Sequence, residues 1–243
     1  MKSKELEKYL NGVLETEKFI DYCYDGLQIE GKNEVKKIAF GVSLNLEFIE
    51  KSIQWGADTL FVHHGIFGKD FFKLQGYLKK RVELIIKNDL NLFGYHLPLD
   101  ANEKYGNNAS IAAALSLDMV EFLEDGYICK YDKKIPWNTF YRKLKSVFYN
   151  DIICFQNSDY VKNVYILSGG GSFMLEQLPD KNIDTFITGE VKEQIPHLAK
   201  ETGINFINAG HYYTETFGVK NIAELLKKEF GFETCFIDVP NSI

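Results

Sequence analysis

Four of the chain's five histidines, His63, His64, His96 and His211, directly follow short apolar runs that read as β-strands. In open α/β sheets ligands gather at the carboxyl ends of strands, where loops converge without breaking the sheet. Imidazole at such a place can ligate a metal or move a proton, although a single histidine commonly caps a helix or fills a core gap. The run Thr59-Leu60-Phe61-Val62-His63-His64-Gly65 sets two imidazoles in a row. Neighbours in extended chain point to opposite faces, so both rings reach one centre only if the strand ends here, and Gly65 frees the backbone to turn. That arrangement suits two adjacent metal ions, one histidine to each.

A second pair lies in Asn208-Ala209-Gly210-His211-Tyr212-Tyr213-Thr214-Glu215. With a helix starting near Tyr212, His211 and Glu215 share a face with Cβ atoms about 5–6 Å apart, and a ring nitrogen and a carboxylate oxygen can meet one ion. The earlier stretch Tyr95-His96-Leu97-Pro98-Leu99-Asp100 repeats the spacing, but Pro98 disfavours continuous helix and places Asp100 in a loop. The set His63, His64, Asp100, His211 and Glu215 offers three neutral nitrogens and two anionic carboxylates, enough for two divalent ions bridged by a carboxylate and a water. Mixed nitrogen and oxygen donors without sulfur favour zinc, manganese or iron over calcium or magnesium.

The elements that must position these groups follow from the apolar pattern. With 243 residues the chain is about one and a half typical domain lengths, with 45% apolar and 26% charged residues in the globular range. Strands are expected at 37–43, 58–63, 91–96, 163–168, 184–188 and 204–209. Helical faces are formed by Leu6, Tyr9, Leu10, Val13 and Leu14, and by Val219, Ile222, Ala223, Leu226 and Phe230, with Gly231 ending the second. Without a gap, residues 35–64 lie over 161–190 at an offset of 126, and His96 and Asp100 lie over His211 and Glu215 at an offset of 115. The expected fold is α/β: two similar layered halves from an internal duplication, 1–124 and 125–243, with mostly parallel sheets and a dimetal site in the cleft between them. Two unrelated α/β units sharing generic patterning are the alternative.

Net charge of −6 argues against a charge-driven grip on nucleic acid or membrane. The short basic runs Lys79-Lys80-Arg81 and Lys227-Lys228 read as solvated helix faces. Met1-Lys2-Ser3-Lys4-Glu5-Leu6-Glu7 lacks the apolar stretch of a secretory signal, no window reaches the roughly 18 apolar residues of a membrane span, and the four cysteines show no C-x-x-C spacing. A soluble, cytoplasmic protein with reduced thiols is expected.

Taken together, His63-His64-Gly65, His96 to Asp100, the glycine run Ser168-Gly169-Gly170-Gly171-Ser172, Ile187-Thr188-Gly189-Glu190, Ala209-Gly210-His211 to Glu215 and the close Phe236-Ile237-Asp238-Val239-Pro240 resemble the Nif-three-like dinuclear-metal family, the GTP cyclohydrolase I type 2 family. The resemblance covers nearly the whole chain. It implies a two-domain α/β protomer in a toroidal homohexamer, with a dimetal centre at the residues matching His63, His64, Asp100, His211 and Glu215. The large domain inserted in longer relatives is absent, and Glu193 and Gln194 stand where some relatives carry further histidines.

Two residues are candidate catalytic groups. His96 is an outer donor, a proton shuttle touching substrate, or a structural ring. Glu190, at the position of His64 in the other half, is an acid or base near the cleft or an ordinary solvated carboxylate. His197 reads as structural. The glycine run presents N–H groups to a nucleotide phosphate or serves close backbone packing, and it lacks the ending of a Walker A loop. The function expected is a metal-dependent hydrolase acting on a nucleotide or heterocycle, with GTP going to dihydroneopterin triphosphate plus formate as the specific case. The alternatives are a metal-dependent phosphodiesterase and a non-catalytic metal-binding hexameric scaffold.

Overall fold

The computed structural model describes residues 1–66 and 74–241. Among them the chain runs through α1 (Ser3–Leu14), β1 (Gly26–Ile29), β2 (Lys37–Ser43), α2 (Leu46–Trp55), β3 (Thr59–His64), α3 (Gly76–Lys87), β4 (Asn91–Gly94) and α4 (Leu97–Ala101). There follow α5 (Asn107–Ala114), β5 (Asp118–Leu123), β6 (Gly126–Pro136), α6 (Trp137–Val147), β7 (Ile153–Phe155), β8 (Tyr160–Leu167), β9 (Thr185–Thr188), α7 (Ile195–Thr202), β10 (Asn205–Asn208), α8 (His211–Thr214), α9 (Thr216–Phe230) and β11 (Glu233–Phe236). All six strands expected from the apolar runs are present. No helix of the described residues is long and apolar enough to cross a membrane, and all four cysteines are free.

The chain divides into two compact units, Met1–Tyr105 with Gly218–Val239, and Gly106–Phe217 with Pro240–Ile243. The expected division at 124/125 differs from this at both ends. The segment 106–124 belongs with the second unit because β5 pairs antiparallel with β6 through the two-residue turn at Glu124 and Asp125. The segment 218–239 belongs with the first unit because β11 adds in parallel to β2.

The first unit holds a five-stranded sheet in the order β1-β4-β3-β2-β11, parallel except for β1. Its inner strands are apolar on both faces, and Ala39, Leu60, Val62 and Leu92 pack with Phe48 and Ile49 of α2 and Ile85 of α3. Asn45 caps α2 by accepting the Phe48 N–H at 2.9 Å, and Gly56 ends the helix at φ 82°. On the expected face of α1, Leu6, Leu10 and Leu14 are buried, and Tyr9 meets Phe230 of α9 edge-on at 4.7 Å.

The second unit holds six strands in the order β5-β6-β8-β9-β10-β7, of which only β8-β9 and β9-β10 pair in parallel. This sheet is mixed, so the expectation of mostly parallel sheets is right for the first unit and wrong for the second. The hairpin β5-β6 and the short strand β7 bring in the antiparallel pairs.

The strand frames that carry the candidate residues recur bond for bond. In β2 and β3, Ile38 faces Thr59 and Ala39 faces Leu60; in β8 and β9, Val164 faces Thr185 and Tyr165 faces Phe186, an offset of 126 throughout. Asp58 accepts the Lys36 and Lys37 N–H groups at 2.9 and 3.0 Å and the Thr59 hydroxyl at 2.9 Å. Asp184 accepts those of Lys162 and Asn163, both at 2.9 Å, and the Thr185 hydroxyl at 2.8 Å. The Asn91 amide donates to Thr59 Oγ1 in one unit, and the Asn205 amide to Thr185 Oγ1 in the other. These clasps fix where each parallel strand starts, and therefore which residues stand at its carboxyl end.

Candidate metal centre

In the first unit β3 runs through His64, and the His63 and His64 rings lie 4.4 Å apart at its end. His63 is fully buried and its Nδ1 is 2.9 Å from the Tyr95 carbonyl oxygen. His64 places Nδ1 3.0 Å from Ser43 Oγ on the paired strand β2. His96 precedes α4, with its ring 5.2 Å from that of His63 and 5.7 Å from that of His64. One nitrogen of each of the three rings lies within 4.8 Å of the others.

Asp100 is helical, a correction to its expected place in a loop. Pro98 falls in the first turn of α4, where its missing N–H costs no helical bond. Asp100 is buried, with Oδ2 3.4 Å from His63 Nε2. On the other side of His96, the Asp21 carboxylate lies 2.9 Å from Nδ1.

In the second unit His211 opens α8 and Glu215 closes it, and the i,i+4 spacing brings His211 Nε2 to 3.0 Å from Glu215 Oε1. His211 Nδ1 lies 2.6 Å from Glu190 Oε1. Burial works against a charged His211 ring, but the carboxylates of Glu215 and Glu190 outweigh it and push the ring up to about 9. Gly169, at φ +65°, leaves room that a side chain would take: a Cβ there would stand 2.3 Å from Glu215 Oε1 and 3.2 Å from His211 Nε2. The N–H groups of Gly169 and Gly171 are engaged by the hydroxyls of Thr214 and Thr188, both at 3.0 Å, so these two of the three glycines are tied into the packing around His211 and Glu215. His197 is exposed on α7.

The family model for Duf34/NIF3 (NGG1p interacting factor 3) matches residues 1–242. The chain belongs to the NIF3 family. A protein of Haemophilus influenzae named GTP cyclohydrolase 1 type 2 homolog is 38% identical over 249 residues, 99% of each chain. A protein of the same name in Escherichia coli K12 is 34% identical over 253 residues, again 99% of each. Among solved structures, protein ybgI, described as of unknown function, superposes with a TM-score of 0.95 at 34% identity over 100% of both chains. TTHA1606 from Thermus thermophilus does so at 0.93 and 34%, also over 100% of both.

The donor chemistry of this NIF3-family chain fits transition-metal ions. His63 and His211 have Nδ1 against an acceptor, Tyr95 O and Glu190, and His64 has Nδ1 beside the Ser43 hydroxyl, so each ring is held by that nitrogen. Sequence reasoning found the rings but missed two groups that hold them in the first unit, Asp21 and Ser43. Ser43 is discoverable as the residue paired with His64 in parallel register. Asp21 and Asp25 stand in a segment that forms no helix or strand although its residues alternate, and nothing in that alternation points to His96.

Proposed function

We propose that His63, His64, Asp100, His211 and Glu215 hold two divalent ions, zinc, manganese or iron, and that the protein is a metal-dependent hydrolase of a nucleotide or heterocycle. The observation that supports this most is the anchoring of three imidazoles through Nδ1, with Nε2 of His63 and of His211 turned to the buried carboxylates Asp100 and Glu215. What such ions supply when bound is Lewis acidity, which makes a nucleophile of water near neutral pH and polarises an electrophile. The chain's own part is orientation. Tyr95 O and Ser43 Oγ set the two rings of β3, and Glu190 sets His211, which assigns Glu190 to holding a ligand. His96, surplus to the ligand set, is the group left to meet substrate.

The specific reaction inferred is GTP to dihydroneopterin triphosphate plus formate, on the strength of the name carried by relatives 38% and 34% identical. We further read the two recurring strand frames as an old duplication, the setting as cytoplasmic, and the assembly as a homohexamer. Self-association is favoured by β5, an edge strand that exposes Met119, Val120 and Phe122. Light scattering is expected to give six times the 28.0 kDa chain mass.

The test of activity is turnover by protein loaded with zinc, manganese or iron in turn, on GTP and on a model phosphodiester, beside His63→Ala and Glu215→Ala. Formate release that either substitution abolishes is the expected result. Cleavage of the phosphodiester alone would reassign the reaction, and stoichiometric metal without turnover on any nucleotide would leave a metal-binding scaffold.

A further inference from the structure

The segment before β1 forms no regular element, yet its side chains alternate. Ile20, Tyr22 and Tyr24 face solvent at 96%, 60% and 61% exposure, whereas Asp21 and Cys23 are buried and Asp25 is half-buried. Both carboxylates on the inner face grip one short stretch, His96-Leu97. Asp21 Oδ2 lies 2.9 Å from His96 Nδ1 and accepts the Leu97 N–H at 2.9 Å. Its Oδ1 is 3.1 Å from the same ring nitrogen and accepts the Cys23 N–H at 3.0 Å. Asp25 Oδ1 accepts the His96 N–H at 2.8 Å. Gln28 fastens the segment to the chain just past His64, donating to Tyr24 O at 2.9 Å and accepting the Ile66 N–H at 2.7 Å. The Tyr22 ring stands edge-on to His96 at 5.1 Å.

Two carboxylates therefore hold the backbone and the ring of a single histidine that the ligand set does not use. Burial alone would raise the Asp21 carboxyl, but the hydrogen bonds from His96, Cys23 and Leu97 prevail and hold it below the ordinary carboxylate range. An ionised carboxylate has only lone pairs to offer, so the hydrogen between it and the ring belongs to the ring.

We propose that Asp21 is a positioning residue that locks His96 with its hydrogen on Nδ1 and so leaves Nε2 without one, in the corner shared with His63 and His64. What that nitrogen is for rests on the reading of this corner as the reactive centre; the lock itself does not. An unprotonated Nε2 offers one lone pair, which takes a hydrogen from a water or from the N–H edge of a heterocycle, or a cation where one nitrogen of each of the three rings lies within 4.8 Å of the others.

Histidine-selective 15N labelling of the full-length protein, chelated and zinc-loaded, tests the lock directly. His96→Gln identifies the His96 signals among the five histidines. The neutral ring in the wild type is expected to show a protonated Nδ1 and a bare Nε2. In Asp21→Asn, whose amide can donate to Nδ1, the pattern is expected to invert or average, and Asp21→Glu to restore it in part. A wild-type His96 with its hydrogen on Nε2, or an unchanged pattern in Asp21→Asn, overturns the lock. The wild-type spectrum decides even if the variants fail to fold. On a substrate found in the turnover panel, Asp21→Asn is expected to lower kcat about 10–100-fold with little change in KM. An unmoved kcat with the lock lost removes His96 from the reaction. No turnover on any substrate counts against the hydrolase reading and leaves the spectrum to judge the lock.

Discussion

The ends of β3 and β9 occupy the same place in the same frame and carry different chemistry. Register and aspartate clasp recur at an offset of 126 and an asparagine–threonine bond recurs beside them, yet β3 closes on His63 and His64 where the second unit has Gly189 and Glu190. Ser43, which meets His64, corresponds to Gly169, whose missing side chain admits Glu215. One end is rich in imidazole and braced by a hydroxyl and a carbonyl; the other has one imidazole between two carboxylates. The frame is set by groups far from the strand ends, so the ends are free to differ without cost to the fold.

The largest way to break this comparison is to remove a donor from each end. If both ends serve the same ions, His63→Ala and Glu215→Ala should each lower bound metal, read by elemental analysis, and each cut turnover by more than about 100-fold, beyond the usual effect of an orienting neighbour. Loss from only one of the two would show that the ends work separately. The frames give the next largest effect. Asp58→Ala and Asp184→Ala each strip the acceptor from two backbone N–H groups and a buried threonine hydroxyl. Each should cost about 2–3 kcal/mol in denaturant unfolding, and equal costs would mean that the clasps are equivalent in energy as well as in geometry.

A smaller effect separates the braces. Ser43→Ala leaves His64 without its hydroxyl neighbour and should weaken metal binding about tenfold with the fold intact. Gly169→Ala puts a methyl group against Glu215 at a left-handed backbone position and should weaken binding and also destabilise by about 1 kcal/mol. Competition with a chromophoric chelator and thermal melts would tell these apart.

How much of this was legible depends on which faces of a strand are buried. β2, β3, β4, β8, β9 and β10 lie inside their sheets and carry short apolar runs that mark the residues at their ends, whereas β6, also inside, breaks its run with Lys130 and Asp132-Lys133-Lys134. β1, β5, β7 and β11 are edges, and all six residues of β5 are half-buried or exposed, so no such run marks them. β5 and β11 are the strands that set the boundaries of the two units, so those boundaries carry no apolar run either. Pro98 looks like a breaker in the sequence, yet a first-turn proline is compatible with helix, and Asp100 is helical. Asp21 was invisible because its partner, His96, is 75 residues away and the bond follows no periodicity.

The last test combines protons with mutations, because the two ends lose stability in different pH windows. In the first unit, burial pushes the Asp25 carboxyl up to about 6 from its ordinary 3.8. In the second, two carboxylates outweigh burial and push His211 up to about 9 from 6.5. In both cases the folded chain holds a proton that the unfolded chain has released, so stability falls as pH rises through the window. For Asp25 the fall runs from about pH 4 to 6; for His211 the contribution is complete below about 6.5 and gone above about 9. Asp25→Asn keeps an acceptor for the His96 N–H and removes the buried charge, so chelated protein should gain about 2 kcal/mol at pH 7 and lose the first slope. Glu190→Gln should flatten the second slope by about 1 kcal/mol and leave the first alone. A cation at His211 must expel that proton, so calorimetry at about pH 7.5 in buffers of different ionisation enthalpy should show proton release on zinc binding, reduced in Glu190→Gln. Identical slopes in both variants would mean that the two ends titrate as one group, against the separation of imidazole-rich and carboxylate-rich ends.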